Sequence, residues 1–121
     1  MADKVDKKAL GAYGETLAAQ YLLDTGMQIV ARNWRCRYGE LDLIARDERV
    51  TAFVEVKTRT GLGYGTPAES VTFAKRRRIR QLALFWLHEQ EQPWRHVRFD
   101  VVSVLVTRGH RPVIDHLPGV F

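Results

Sequence analysis

Three strand-length segments follow one another with only turn-length gaps, and a fourth appears only after a long helical stretch. That spacing constrains the fold more than any other feature of the chain. The three segments are Met27–Asn33, Glu40–Arg46 and Val50–Arg59, separated by Tyr38-Gly39 and by the polar turn at 46–49. Gaps this short join antiparallel neighbours, so a meander is expected. Residues 7–25 precede it as a helix, with Leu10, Tyr13, Leu17, Tyr21 and Leu22 forming an apolar stripe and Gly26 standing at the cap. Gly11 and Gly14 weaken that helix, and close approach to a sheet would account for them. Thr66-Pro67-Ala68-Glu69 reads as a capping box. It opens a second helix that runs to about Glu89, with a break and a fresh cap near Thr72. Pro93 lies beyond its end, the apolar strand Arg98–Val106 follows, and Val113–Leu117 closes the chain after a turn at Gly109. A strand returning after a helix can lie parallel to an earlier one. The expected fold is therefore α/β, in the order αβββαββ, with a mixed β-sheet flanked by helices and residues 1–121 forming a single domain.

The alternation of strand side chains then picks out a constellation. In Phe53-Val54-Glu55-Val56-Lys57, Glu55 and Lys57 share one face while Val54 and Val56 share the other. On the preceding strand Leu41 and Leu43 flank Asp42 and are expected to point away from it. If the two strands form a hairpin, Asp42 lies beside Glu55. Paired carboxylates in an apolar sheet repel, and burial raises that cost. Lys57 offers one neutralising charge, and a divalent cation such as Mg²⁺ or Mn²⁺ offers two. The expected metal ligands are Asp42 and Glu55. Lys57 would orient a water or hold a phosphate, and Glu15, at the border of the first helix's stripe, would reach the same cluster as an outer ligand. The competing reading is a plain cross-strand ion pair.

Taken in order, Gly14-Glu15, Tyr21-Leu22, Asn33-Trp34-Arg35, Gly39 to Ile44, Phe53 to Arg59, Lys75, Arg98 to Val102 and Phe121 make up an ordered set of landmarks. The string Asp42…Glu55-Val56-Lys57 after a helix bearing Glu15 resembles the PD-(D/E)xK nuclease superfamily. The whole set looks closest to the YraN family, which is similar to Holliday-junction resolvases. The resemblance implies a restriction-endonuclease-like fold, with Glu15, Asp42, Glu55 and Lys57 at the positions of the catalytic set. It also implies a homodimer, because a four-way junction takes two symmetric cuts. Leu41 stands where the superfamily often has proline.

Charge points the same way. The chain of 121 residues carries a net +5 and a pI near 9.7, which favours a polyanionic partner, DNA foremost. Arg35 and Arg37 interleave with Trp34 and Tyr38, a mixture suited to a branched or single-stranded substrate; the alternative is that Trp34 packs on the core edge. Arg59 shares the face of Lys57 and is the better phosphate contact. Lys75 and Arg76 open a run of cations that continues through Arg77, Arg78 and Arg80. Such a run is either a binding surface or a solvated helix face. The loop at 61–65, with Tyr64, would cover a substrate or merely connect. Asp100 is expected to pair with an arginine, and the four histidines show no ligand-like spacing. Cys36 is the only cysteine, so no internal disulfide forms, which suits a reducing cytoplasm. Neither a signal peptide nor an apolar run of about 20 residues is present, so no membrane partner is expected. The leading expectation is a metal-dependent endonuclease acting on DNA, branched or repair intermediates included. A non-catalytic nucleic-acid-binding module and a plain interaction domain are the rivals.

Overall fold

The computed structural model describes residues 6–61, 71–91 and 96–121. Helix α1 (Lys7–Asp24) is followed by strands β1 (Gln28–Cys36), β2 (Gly39–Arg46) and β3 (Val50–Arg59), helix α2 (Phe73–His88), then β4 (His96–Leu105) and β5 (Val113–Leu117). The order αβββαββ is the expected one. The sheet runs β1-β2-β3-β4-β5, in chain order. β1–β2, β2–β3 and β4–β5 pair antiparallel, and β3–β4 pair parallel across the α2 connection.

Each helix covers one face of the sheet. On the α2 side, Ile79, Leu82, Ala83, Trp86 and Leu87 meet Leu41, Ile44, Phe53, Phe99 and Val101. Phe53 takes the edge of Trp86 and stacks on Phe99. On the α1 side, Ala18, Ala19 and Leu22 meet Leu43, Val54, Val102 and Val104. The face α1 buries differs from the expected stripe. It consists of Gly14, Ala18, Ala19 and Leu22, whereas Tyr13 is exposed. The helix lies so close to β3 that small residues form the contact and the larger ones sit at its margins. Gly14 makes the closest approach, to Thr58; no atom lies within 4 Å of a Cβ built at Gly11, so that glycine serves no such contact.

Local chemistry sets the helix ends. Asp6 caps α1 by accepting the N–H groups of Lys8 and Ala9. Thr72 caps α2 through the N–H of Lys75, as the expected fresh cap near Thr72 requires. The capping box at 66–69, Tyr64 and Pro93 lie outside the described residues. β1 runs past the expected Asn33 to Cys36. Asn33 takes φ 51°, a conformation asparagine tolerates better than most residues, and so the strand bends without ending.

Asp100 and the C-terminal residues form a buried polar knot. The Arg98 guanidinium donates two bonds to the fully buried Asp100 carboxylate, at 2.8 and 2.9 Å. His116 Nε2 lies 2.7 Å from it, and the Gly119 N–H donates at 2.9 Å. This is the structural pairing expected of Asp100, and His116 is a satisfied histidine.

Candidate active site

The site forms where β2 and β3 part. Their last paired rungs are Ile44↔Phe53 and Leu43↔Val54. One step on, Asp42 and Glu55 come together, close enough for the charge of Glu55 to act on the Asp42 carboxyl. Asp42 Oδ2 accepts the Val56 N–H at 2.9 Å, so a carboxylate takes the place of a strand carbonyl.

The parting has a local cause. Ala31 and Trp34 both pack on the α2 side, and opposite them so do Ile44 and Leu41. Strict alternation forbids both pairs, since each spans three residues. The break coincides with Asn33, whose φ is positive, and with Asp42 on the facing strand. Leu41 and Leu43 therefore enter opposite cores, not one common face as expected. The twist turns Asp42 out of the β2–β3 ladder and towards Val56, Glu55 and α1.

Glu55 is buried, 8% exposed, and Asp42 is largely so. Burial, then the neighbouring Glu55 charge, push the Asp42 carboxyl up to about 8; the bond from Val56 opposes them, and Glu15 on α1 adds a smaller push. At neutral pH the shift favours a proton shared by the Asp42–Glu55 pair. The Lys75 ammonium, in the first turn of α2, forms an ion pair with Glu55 Oε1. Sequence reasoning missed this contact. Only the Thr72 cap hinted at it, by fixing Lys75 in a helix's first turn.

Glu15, Lys57 and Arg59 line a neighbouring cavity of about 660 Å³, with Lys7, Leu10 and Gly11 from α1 and Val56 to Gly61 from β3 and its end. The Gly14–Thr58 contact fixes α1 against β3 and so places Glu15 here. The Arg59 Nε is buried without a hydrogen-bond partner among the described residues. Glu15, Asp42, Glu55 and Lys57 thus gather around the open end of β3. Asp42 and Glu55 form the carboxyl pair available to an ion; among the described residues, no group of three or more His, Cys, Asp or Glu side chains forms a cage.

The other cations are dispersed. Arg35 pairs with the exposed Glu40 at 2.9 Å, and the Arg37 guanidinium lies 5.1 Å from the Tyr38 ring centre. Arg76 Nε donates to the Val71 carbonyl, and its guanidinium faces Phe121. Arg80 lies over Phe99. Of the five nucleic-acid contacts expected, Arg59 and Lys75 lie at the site, and Arg76 is engaged in holding the fold together. Trp34 packs against the core edge.

The Asp42 shift has a measurable consequence. Its pKa rises from an ordinary value of about 3.9 to about 8 on folding. Between those values the folded state binds the extra proton, so stability falls as pH rises. The expected result is a decline in metal-free stability from about pH 5 to pH 8, by up to about tenfold in the folding constant per pH unit. Asp42→Asn should flatten it. Urea denaturation across that range measures both, and equal slopes for the two proteins would refute the assignment.

Residues 14–104 match the family described as "Uncharacterised protein family UPF0102". The chain belongs to the UPF0102 family. This is the family the sequence landmarks indicated under the name YraN. The UPF0102 match spans Glu15, Asp42, Glu55, Lys57 and Lys75. A UPF0102 protein of Nocardia farcinica is 76% identical over 116 residues, covering 96% of this chain and 91% of that one. One from Rhodococcus opacus is 59% identical over 113 residues, covering 93% and 96%. A Mycobacterium tuberculosis member is 54% identical over 116 residues, covering 92% and 91%.

Proposed function

We propose that this protein is a metal-dependent endonuclease acting on DNA, with branched or repair intermediates as its substrates. The observation that carries the reading is the Asp42–Glu55 carboxyl pair, whose burial and mutual repulsion raise the Asp42 pKa to about 8. Mg²⁺ or Mn²⁺ suits such a pair, since hard cations take one or two carboxylates and fill the remaining positions with water. Bound there, the ion would supply Lewis-acid polarisation of a phosphate oxygen. Asp42 and Glu55 would hold it, giving up their shared proton as it binds. Lys57 and Arg59, which line the neighbouring cavity, would hold the scissile phosphate. Glu15, in the same lining, would accept a hydrogen bond from a water there. Lys75 would exchange Glu55 for phosphate when the ion arrives.

The test is cleavage of labelled branched, flapped and single-stranded DNA with Mg²⁺ or Mn²⁺. Wild-type protein should cut at least one of them, while Asp42→Asn and Lys57→Ala should not. Cleavage surviving in both variants would reject the assignment.

One observation favours a second reading. The Lys75–Glu55 ion pair already supplies a positive charge, as a non-catalytic nucleic-acid-binding module would require. Calorimetric titration with Mn²⁺ separates the two, since the module predicts no heat and no proton release. We propose further that the protein acts in the cytoplasm as a homodimer, which sedimentation would test. Among the described residues no helix is long and apolar enough to cross a membrane.

A further inference from the structure

A second feature lies away from the carboxylates, on the flank of α2 that faces the β1–β2 turn. Tyr38, at the tip of that turn, stacks on Phe85 with ring centres 5.2 Å apart and planes 18° from parallel. Both rings are exposed, Tyr38 by 56% and Phe85 by 44%. Two aromatic rings stacked on each other yet left in water present a broad apolar surface that the fold itself does not cover. The turn is also held in place. Gly39 takes φ 146°, and a Cβ there would lie 3.3 Å from Leu82 Cδ1, so Tyr38 sits directly against α2.

The surroundings are cationic. The Arg37 guanidinium lies over the Tyr38 ring. A concavity of about 460 Å³ is lined by Tyr38, Arg78, Gln81, Leu82, Leu84 and Phe85, with no carboxylate among the described lining residues. That is the size of a small-ligand pocket. Arg78 and Phe85 are seven residues apart and so lie on one line of the helix. Lys75, in the first turn of the same helix, is paired with Glu55. From Lys75 to Phe85 is about 15 Å at 1.5 Å per residue, or roughly four stacked nucleotides at ~3.4 Å each.

We propose that Tyr38 and Phe85, with Arg37 and Arg78, form a stacking platform for unpaired bases of a single-stranded nucleic-acid segment that leads to the Asp42–Glu55 site. An exposed ring pair offers a base a π-face, and the guanidinium groups meet the phosphates that accompany it. A duplex presents neither an open base nor a reason for the rings. The proposal rests on the nucleic-acid reading of the active site and deepens it, by naming an unpaired strand as part of the substrate.

The experiment is equilibrium binding of a fluorescein-labelled oligothymidylate and of a blunt DNA duplex, without divalent cation, so that no cleavage is required. Stacking contributes about 1–3 kcal/mol per base, which is roughly 5- to 150-fold in affinity. The Tyr38→Ala/Phe85→Ala double variant should lose oligothymidylate affinity by a factor in that range and keep its duplex affinity. Tyr38→Phe should retain single-strand binding, since the ring remains. Arg78→Ala should weaken oligothymidylate binding and flatten its salt dependence. Thermal unfolding of each variant checks that the fold is intact. Unchanged oligothymidylate affinity in the double variant overturns the proposal. So does an equal loss for the duplex, or sedimentation showing that the double variant merely turns a dimer into monomers. If the platform fails while Asp42-dependent cleavage persists, only the platform is lost. If binding follows the platform but no DNA is ever cut, the nuclease reading fails and the binding module stands.

Discussion

Asp100→Ala is expected to destabilise the protein by about 3–5 kcal/mol, the cost of removing one partner from a buried charged network. A domain of this size is stable by about 5–15 kcal/mol, so the variant forfeits a third of that or more. The carboxylate satisfies two guanidinium bonds, the His116 ring and the Gly119 N–H, and no water reaches it. Alanine leaves the part-buried Arg98 charge without its hydrogen-bonded partner. It also frees the tail, whose Val120 N–H bonds the Phe99 carbonyl and whose Phe121 packs on Phe99. Burial alone would raise the Asp100 pKa, but the bonds from His116, Arg98 and Gly119 outweigh it and hold it below the usual carboxylate range. The stabilisation is therefore present above the ordinary value of about 3.9 and is lost as pH falls through the lower folded one. Urea denaturation at pH 7 gives the magnitude. A loss under 1 kcal/mol would mean that the knot is ornamental. Asp100→Asn should fall between the two, since one oxygen remains while its amide group faces the donors of Arg98 and His116.

Gly14→Ala is the second large effect, and its sign separates two opposing contributions. In a free helix the change gains about 1 kcal/mol. Here the new methyl group would lie 2.8 Å from both Cβ and Cγ2 of Thr58, and nearer still to Oγ1. These atoms belong to a β-branched side chain on a central strand, which has little freedom to retreat. Overpacking costs about 1–3 kcal/mol or more, so the net change should be destabilising. α1 should lift from β3 and carry Glu15 out of the cavity with it. Adding Thr58→Gly removes the obstructing atoms, so the double variant should recover much of the loss beyond additivity. Urea midpoints for the four proteins of this cycle decide the matter. A neutral or stabilised Gly14→Ala would show that the approach is looser than the geometry states.

Much of this architecture was legible beforehand because local rules and the global fold agree. Val50–Arg59 and Val113–Leu117 appear as strands with the expected bounds. The parallel return of β4 follows from the helix between it and β3. The convergence of Asp42 and Glu55 was readable from a hairpin and a two-residue period. Where reading failed, the cause was tertiary. The face of α1 was misassigned because large apolar residues usually mark a buried side, whereas here intimacy with β3 selects glycine and alanine. The loss of alternation at Asp42 depends on one positive φ, at Asn33, on a neighbouring strand. Lys75 reaches Glu55 only because α2 packs where it does, a relation that local sequence does not encode.

With strands lying in chain order, β1 and β5 are the sheet's two borders. An open border invites another chain to add a strand, and proteins blunt it with charge, brevity, bends or proline. β1 carries Arg32 and Arg35 and bends at Asn33. β5 has only five residues and stands between Pro112 and Pro118. Both borders are thus guarded against edge-to-edge growth. If two copies of this chain pair, the guarded borders disfavour a sheet continuous across both and favour contact through helices or turns.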